Sequence, residues 1–166
     1  MVDTPAYKYA SNSRVGAIFA EHKRTQERLV VPVIVGEWGG NAEGTEWLPH
    51  VRFLLETFEN YKWSYTYWHY FNGLLSAPLA DVLVRPYPKA VTGSIIEWKY
   101  DDVNQTFTLV YNQTVGFDVP TIVYAHKQVK NITVNGEYII NKIAQGEGYD
   151  IHITTGVGQN KVEINF

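Results

Sequence analysis

The fold of this chain is indicated most clearly by residues 30–40, Val-Val-Pro-Val-Ile-Val-Gly-Glu-Trp-Gly-Gly. Apolar, mostly β-branched residues run without alternation up to Gly36 and end at the carboxylate of Glu37. A strand that is apolar on both faces is typical of a parallel sheet covered on both sides. Proteins with such sheets place their functional groups at the carboxyl ends of the strands. Glu37 is therefore the first candidate for a functional carboxylate.

Helix and strand signals alternate around this stretch over the first 80 residues. The sequence predicts a helix from an N-cap at 11–13 to about Leu29, a strand over 31–37, a helix capped by Thr45, and an aromatic strand over 63–71. The second helix should bury apolar residues at helical spacing: Leu48, Val51, Leu55 and Phe58. A strand, helix and strand in succession indicate a parallel pair with a crossover.

Short strands and turns replace this pattern beyond residue 80. A proline-containing connector over 74–90 leads into about seven strand signals, which predict an antiparallel β-sandwich. Within it, Asn135-Gly136 has the composition of a two-residue type I′ hairpin. The predicted domains are therefore residues 1–80, of mixed α/β type, and residues 81–166, a β-sandwich that includes its connector.

Composition excludes several classes of function. The formal net charge is -3 and the basic residues are scattered, so there is no electrostatic case for a nucleic-acid partner. The absence of cysteine excludes disulfides and thiolate metal sites. His126 and His152 lie on separate strand signals, and no sequence pattern brings metal ligands together. We expect neither a metal nor a cofactor, and no transmembrane segment is apparent.

Three N-glycosylation motifs begin at Asn104, Asn112 and Asn131. Their clustering favours a secreted protein, or one from the secretory pathway or a lysosome-like compartment. The alternative is that these are ordinary strand and turn residues, since so short a motif often arises by chance. Both interpretations stay open at this point.

Three segments together resemble glycoside hydrolase family 5. Pro32-Val-Ile-Val-Gly-Glu-Trp-Gly39 resembles the seventh barrel strand of that family, where the glutamate is the nucleophile. Tyr67-Trp68 resembles the eighth strand, whose tryptophan packs beneath the sugar at the cleavage site. The connector from Leu83 to Gly93, with its Arg-Pro-Tyr-Pro, resembles the endoglycoceramidase branch, in which a β-sandwich follows the barrel. The implied fold is a partial (β/α)8 TIM barrel, comprising the last two strands and their helices, followed by an antiparallel β-sandwich.

The resemblance also implies a site. Glu37 would be the catalytic nucleophile and Trp68 a substrate-binding residue, with Trp38, His69 and Tyr70 as candidate neighbours of the cleft. Without the resemblance, a lone glutamate at a strand end is more often a solvated or structural carboxylate. By composition alone, Trp68 is more often part of a core.

The second carboxylate that such chemistry needs is not apparent. Retaining glycosidases use two carboxyl groups about 5–5.5 Å apart. In the resembled family the acid/base glutamate follows an asparagine, yet the sequence contains no Asn-Glu dipeptide. Since a complete barrel takes about 250 residues, we expect a piece of a longer enzyme that lacks its N-terminal barrel segment and is inactive alone.

The resemblance implies a retaining O-glycosyl hydrolase that cuts the glycan–ceramide bond of glycosphingolipids. Its partner would be a glycolipid or oligosaccharide substrate, with membrane-surface contact through the lipid. An alternative from another class is a non-catalytic carbohydrate- or lipid-binding module built on the β-sandwich at 90–166. Such a module would bind its ligand whether or not Glu37 is intact.

Overall fold

The chain forms two compact units, described in a computed structural model over residues 12–39, 44–116, 118–143 and 147–166. The first unit extends to Leu83, and the second runs from Val84 to Phe166. Across these described ranges, no helix combines the length and the apolar character that a membrane span requires.

The first unit alternates helices with two strands. Its elements are α1 (Asn12–Leu29), β1 (Ile34–Trp38), α2 (Leu48–Tyr61), β2 (Ser64–Tyr67), a 3-10 turn (Leu74–Ser76) and α3 (Ala80–Leu83). The strands β1 and β2 pair in parallel, with Ile34 opposite Ser64 and Val35 opposite Tyr65. The predicted order of elements is observed. The aromatic strand is shorter than the predicted 63–71, since it comprises only Ser64–Tyr67.

The helix α2 contributes to both core clusters of this unit. Its buried residues are Val51, Leu54, Leu55, Phe58 and Glu59. The helix begins after Trp47, without a side-chain cap, so the prediction that Thr45 caps it is wrong. Thr45 instead closes a preceding turn, since its carbonyl accepts from the Leu48 amide at 3.1 Å. The helix ends at Lys62 in a left-handed conformation, which directs the chain into β2.

Only one face of β1 is covered. Val33 and Val35 pack in the cluster centred on Phe58, whereas Ile34 on the opposite face is 70% exposed. The cover on both faces that is typical of so apolar a strand is thus found on one face only among the described residues. The helices α1 and α2 contribute side chains to the Val35 side.

The second unit is a β-sandwich. Its strands are β3 (Tyr87–Ala90), β4 (Ser94–Asp101), β5 (Thr106–Gln113), β6 (Thr121–Ala125), β7 (Asn131–Val134), β8 (Gly136–Lys142), β9 (Tyr149–Thr155) and β10 (Gly158–Asn165). They form two antiparallel sheets, β4-β5-β10-β7 and β3-β6-β9-β8. Strict alternation along β5 buries Phe107, Leu109 and Tyr111 between the sheets. The predicted sandwich is confirmed. The strand β3 was not predicted, because Pro88 interrupts its pattern and is tolerated only at a sheet edge.

The chain changes sheets at Asn135-Gly136. The strand β7 pairs with β10 in one sheet, while β8 pairs with β9 in the other. The predicted type I′ hairpin is therefore wrong, and neither residue has the positive φ that such a turn requires. Gly136 serves another purpose, because a Cβ there would overlap the carbonyl oxygen of Thr154. Composition alone does not separate these two uses of glycine.

An aromatic cluster in the second unit contains a half-buried titratable group. The ring of His126 lies 5.8 Å from that of Tyr100 and 5.4 Å from that of Phe166. Burial lowers the pKa of His126 to about 4, with smaller contributions from the positive charges of Lys127 and Arg85. The neutral imidazole is therefore the form that fits the folded state.

Acidification is expected to destabilise the second unit through this histidine. The unfolded chain takes up the proton near pH 6.5 and the folded chain near pH 4, so stability is fully present above pH 6.5 and declines towards pH 4. Because the ring is partly exposed, the loss is expected to be about 1–2 kcal/mol. Urea unfolding at several pH values, followed through amide signals of β5 and β10, measures this loss of stability. The variant His126→Phe should lack this part of the pH dependence. An unchanged pH dependence in His126→Phe would refute the assignment.

Candidate functional site

The candidate site lies at the carboxyl ends of β1 and β2. Glu37 is exposed on β1, at an irregularity in the register between Val35 and Trp38. Its side chain forms no hydrogen bond or ion pair with another of the described residues. An exposed carboxylate at a strand end can meet a ligand from solution, and local structure does not require its charge.

Two hydrogen bonds hold the end of β2 beside Glu37. The Trp68 amide donates to the Trp38 carbonyl at 2.8 Å, and the Thr66 hydroxyl donates to the Gly36 carbonyl. Glu37 is thus flanked in the chain by two residues whose carbonyls are tied to the neighbouring strand. This bonding fixes the backbone from which the carboxylate projects.

The residues after β2 are open to solvent. Trp68 is 63% exposed, and His69 and Tyr70 are exposed as well. The peptide bond between Trp68 and His69 is cis, and their rings lie 5.4 Å apart. A large aromatic face left in solvent beside a carboxylate can stack on the apolar face of a ligand. Trp68 therefore lies outside the packed clusters of the first unit as described, whereas composition alone favours a core position.

Gly39 is required by the close approach of the two strand ends. A Cβ at this position would overlap the carbonyl oxygen of Trp68, which is a backbone atom and does not move easily. Only glycine lets the chain leave β1 along this path. This requirement was not predicted, although the glycines after Trp38 are its signal in the sequence.

Trp38 points into the packed side of the unit. Its ring makes edge-to-face contacts with Phe58, Tyr65 and Tyr67 at centroid distances of 5.4, 5.7 and 5.4 Å. These geometries are the favoured ones for aromatic pairs. Trp38 therefore anchors the end of β1 on α2 and β2 while its neighbour Glu37 remains exposed.

The structure thus brings Glu37, Trp38, Trp68 and His69 to one edge of the parallel pair. Of the other carboxylates near this loop, Glu46 is exposed just before α2, and Glu43 lies outside the described residues. No group of three or more potential metal ligands occurs in the described ranges. The arrangement offers one carboxylate and one exposed aromatic face.

Comparison with known families decides the class of the second unit. Residues 85–164 match the model of the glycoside hydrolase family 5 C-terminal domain. The second unit is a glycoside hydrolase family 5 C-terminal domain. The chain therefore contains a domain of glycoside hydrolase family 5, and the resemblance noted in the sequence is confirmed. No curated protein sequence matches the chain.

Solved structures share the fold of this chain. Endo-glycoceramidase II from Rhodococcus sp., in its five-membered iminocyclitol complex, matches with a TM-score of 0.76 and 18% identity over 99% of this chain and 40% of that chain. Cryptococcus neoformans sterylglucosidase 1 with hit 1 matches with a TM-score of 0.67 and 12% identity over 93% of this chain and 32% of that chain. The chain with its family 5 domain therefore spans two fifths or less of the length of these structures.

Proposed function

We propose that this chain is the C-terminal part of a retaining O-glycosidase whose nucleophile is Glu37. The observation that carries the proposal is the exposed carboxylate of Glu37 at the carboxyl end of a parallel strand. The next residue, Trp38, accepts a backbone hydrogen bond from the exposed Trp68, which holds Trp68 near that carboxylate. In such an enzyme Glu37 attacks the anomeric carbon as the leaving oxygen takes a proton from a second carboxyl group. Trp68 supports the sugar from below by stacking.

The parallel pair β1-β2 is proposed to be the end of a (β/α)8 barrel. Two features support this proposal: the open face of β1, on which Ile34 is exposed, and the unpaired edges of a two-stranded sheet. An apolar strand face in water is unfavourable, and further barrel strands would cover it. The acid/base glutamate would come from that additional segment.

Glycosphingolipids are the proposed substrate class. The support is the sequence resemblance to the endoglycoceramidase branch and the structural similarity to endo-glycoceramidase II. The bond cut would be the one between glycan and ceramide. Because such a substrate is anchored in a lipid surface, the enzyme would work at a membrane surface.

The chain alone is expected to show no glycosidase activity, since one carboxylate cannot both attack and protonate. Incubation of the purified chain with a fluorogenic β-glucoside tests this, and turnover that Glu37→Gln abolishes would refute it.

The coding DNA upstream of Met1 tests the proposal that the chain is part of a longer glycosidase. We expect an open frame with a barrel strand ending in Asn-Glu, whereas stop codons in every frame would contradict it.

A secretory or lysosome-like location is proposed from the three glycosylation motifs. Asn104 lies exposed in the turn between β4 and β5, and Asn131 lies exposed at the start of the edge strand β7. Asn112 differs, because it is half-buried in β5 between Ser94 and Gln159 of the flanking strands. A glycan fits the first two places with least effect on neighbouring side chains.

When the chain is expressed behind a signal peptide in a eukaryotic host, glycans are expected at Asn104 and Asn131 but not at Asn112. Enzymatic removal of N-glycans followed by peptide mass spectrometry measures the occupancy of each site. Asn104→Gln and Asn131→Gln should each remove one glycan. Secreted protein without glycans, or with occupancy at Asn112, would contradict this use of the motifs.

A further inference from the structure

The outer face of the second sheet of the sandwich carries a row of side chains that the glycosidase proposal does not use. The register places Tyr87 opposite Tyr124, Tyr124 opposite Asp150, and Asp150 opposite Asn141. These four residues lie on β3, β6, β9 and β8, so the row crosses every strand of the sheet. At the usual strand spacing it is about 14 Å long.

The row lies on the outer face of the sheet, because the neighbours of Tyr124 and of Asp150 along their strands face the core. Val123 and Ala125 flank Tyr124 and are fully buried between the sheets, as is Ile151 next to Asp150. Strand alternation therefore directs Tyr124 and Asp150 outwards. Tyr87 is 42% exposed.

One end of the row is aromatic and held in place. The rings of Tyr87 and Tyr124 lie 5.1 Å apart with an interplanar angle of 35°. The hydroxyl of Tyr124 donates to the carbonyl of Glu147 at 3.2 Å, which fixes the orientation of its ring. The two rings together form a preorganised apolar surface bordered by hydroxyl groups.

The other end of the row is polar. Lys89 reaches over the sheet from β3, and its ammonium donates to a carboxylate oxygen of Asp150 at 2.8 Å. This bond is the main cause that raises the pKa of Lys89, so the ammonium stays charged at neutral pH. The exposed amide of Asn141 continues the row on β8. Donors and acceptors thus lie directly beside the aromatic surface, and the ion pair leaves no strong net charge.

We propose that this row of Tyr87, Tyr124, Asp150 and Asn141, together with Lys89, is a binding site for an extended, neutral oligosaccharide. Pyranose rings have apolar faces, which suit the tyrosine rings, and hydroxyl groups around their edges, which suit the ammonium, carboxylate and amide. The length of the row and its straight course across the strands fit a flat, β-linked chain of more than one sugar. The site lies within the second unit and does not depend on the role of Glu37.

The same tyrosine pair could serve only to stabilise the sheet, since cross-strand aromatic pairs do so. Binding and stability must therefore be measured separately. Tyr138 provides a matched control, because it is a tyrosine of the same sheet with 46% exposure. It lies opposite Ile153, whose side chain is buried, and therefore outside the row.

The experiment is an NMR titration of the full chain with cellotetraose, with lactose as a shorter probe. We expect saturable shifts of amides in β3, β6 and β9, with cellotetraose bound more tightly than lactose. Tyr87→Ala should weaken binding roughly tenfold, while Tyr138→Ala should change it less than twofold. If Tyr87→Ala unfolds the domain, Asn141→Ala on the exposed edge strand replaces it, with an expected weakening of about threefold.

Several outcomes would overturn the proposal. They are the absence of saturable shifts with both saccharides, shifts confined to β1 and β2, and equal weakening by Tyr87→Ala and Tyr138→Ala. A fall in stability of Tyr87→Ala with unchanged cellotetraose affinity would assign the pair to sheet stability alone.

Discussion

Glu37→Gln, in a protein extended to the full barrel, is expected to lower kcat/KM for an aryl β-glucoside by roughly 10³-fold or more. The amide has the shape of the carboxylate but lacks the charge that attacks the anomeric carbon. In the present chain the same substitution should change stability by less than about 0.5 kcal/mol, because Glu37 is exposed and bonds to no other described residue. Steady-state kinetics and urea unfolding measure the two quantities.

Glu46→Gln is the matched control for charge. Glu46 is also exposed and lies just before α2, where no chemistry is assigned to it. In the extended protein, the kcat/KM of Glu46→Gln should stay within about twofold of that of the unsubstituted protein. If both variants lost activity equally, the cause would be the loss of negative charge near the loop and not the loss of a nucleophile. A Glu37→Gln variant that keeps full activity would end the nucleophile proposal.

Gly39→Ala is expected to destabilise the first unit by about 1–3 kcal/mol, the range for overpacked sites. The added methyl group would overlap the carbonyl oxygen of Trp68, so one strand end must move away from the other. That movement would break the bond from the Trp68 amide to the Trp38 carbonyl and displace Trp68 from Glu37. Urea unfolding followed through the amide signals of β1 and β2 measures the loss.

Gly36→Ala separates this effect from the general cost of replacing a glycine. Gly36 is on the same strand, and a Cβ there would meet nothing within 4 Å. Its substitution should leave stability unchanged or raise it slightly, since alanine loses less backbone entropy than glycine on folding. Equal stabilities of the two alanine variants would show that the strand ends are not packed as closely as described.

Local patterns predicted most elements of both units. Along α2, Val51, Leu55 and Phe58 are buried as predicted, whereas Leu48 is only partly buried. The buried Leu54 and Glu59 were not predicted. The alternation along β5 marks the side chains that are found in the core of the sandwich.

The predictions for Thr45 and for Asn135-Gly136 were wrong. The first failed locally, because Thr45 closes a turn and the helix begins only after Trp47. The second depended on partners distant in the chain, since β7 and β8 pair with strands of different sheets.

For the site, the sequence by itself determined the residue types: a carboxylate after an apolar strand, and an aromatic strand that follows a helix. Only the tertiary structure decided that Trp68 is exposed, that Trp38 is packed, and that Gly39 must lack a side chain. The physical reason is that the functional group of a side chain is given by its own residue, whereas its exposure and its close contacts depend on which other segment packs beside it. Residues 38 and 68 become neighbours only when β1 and β2 lie side by side.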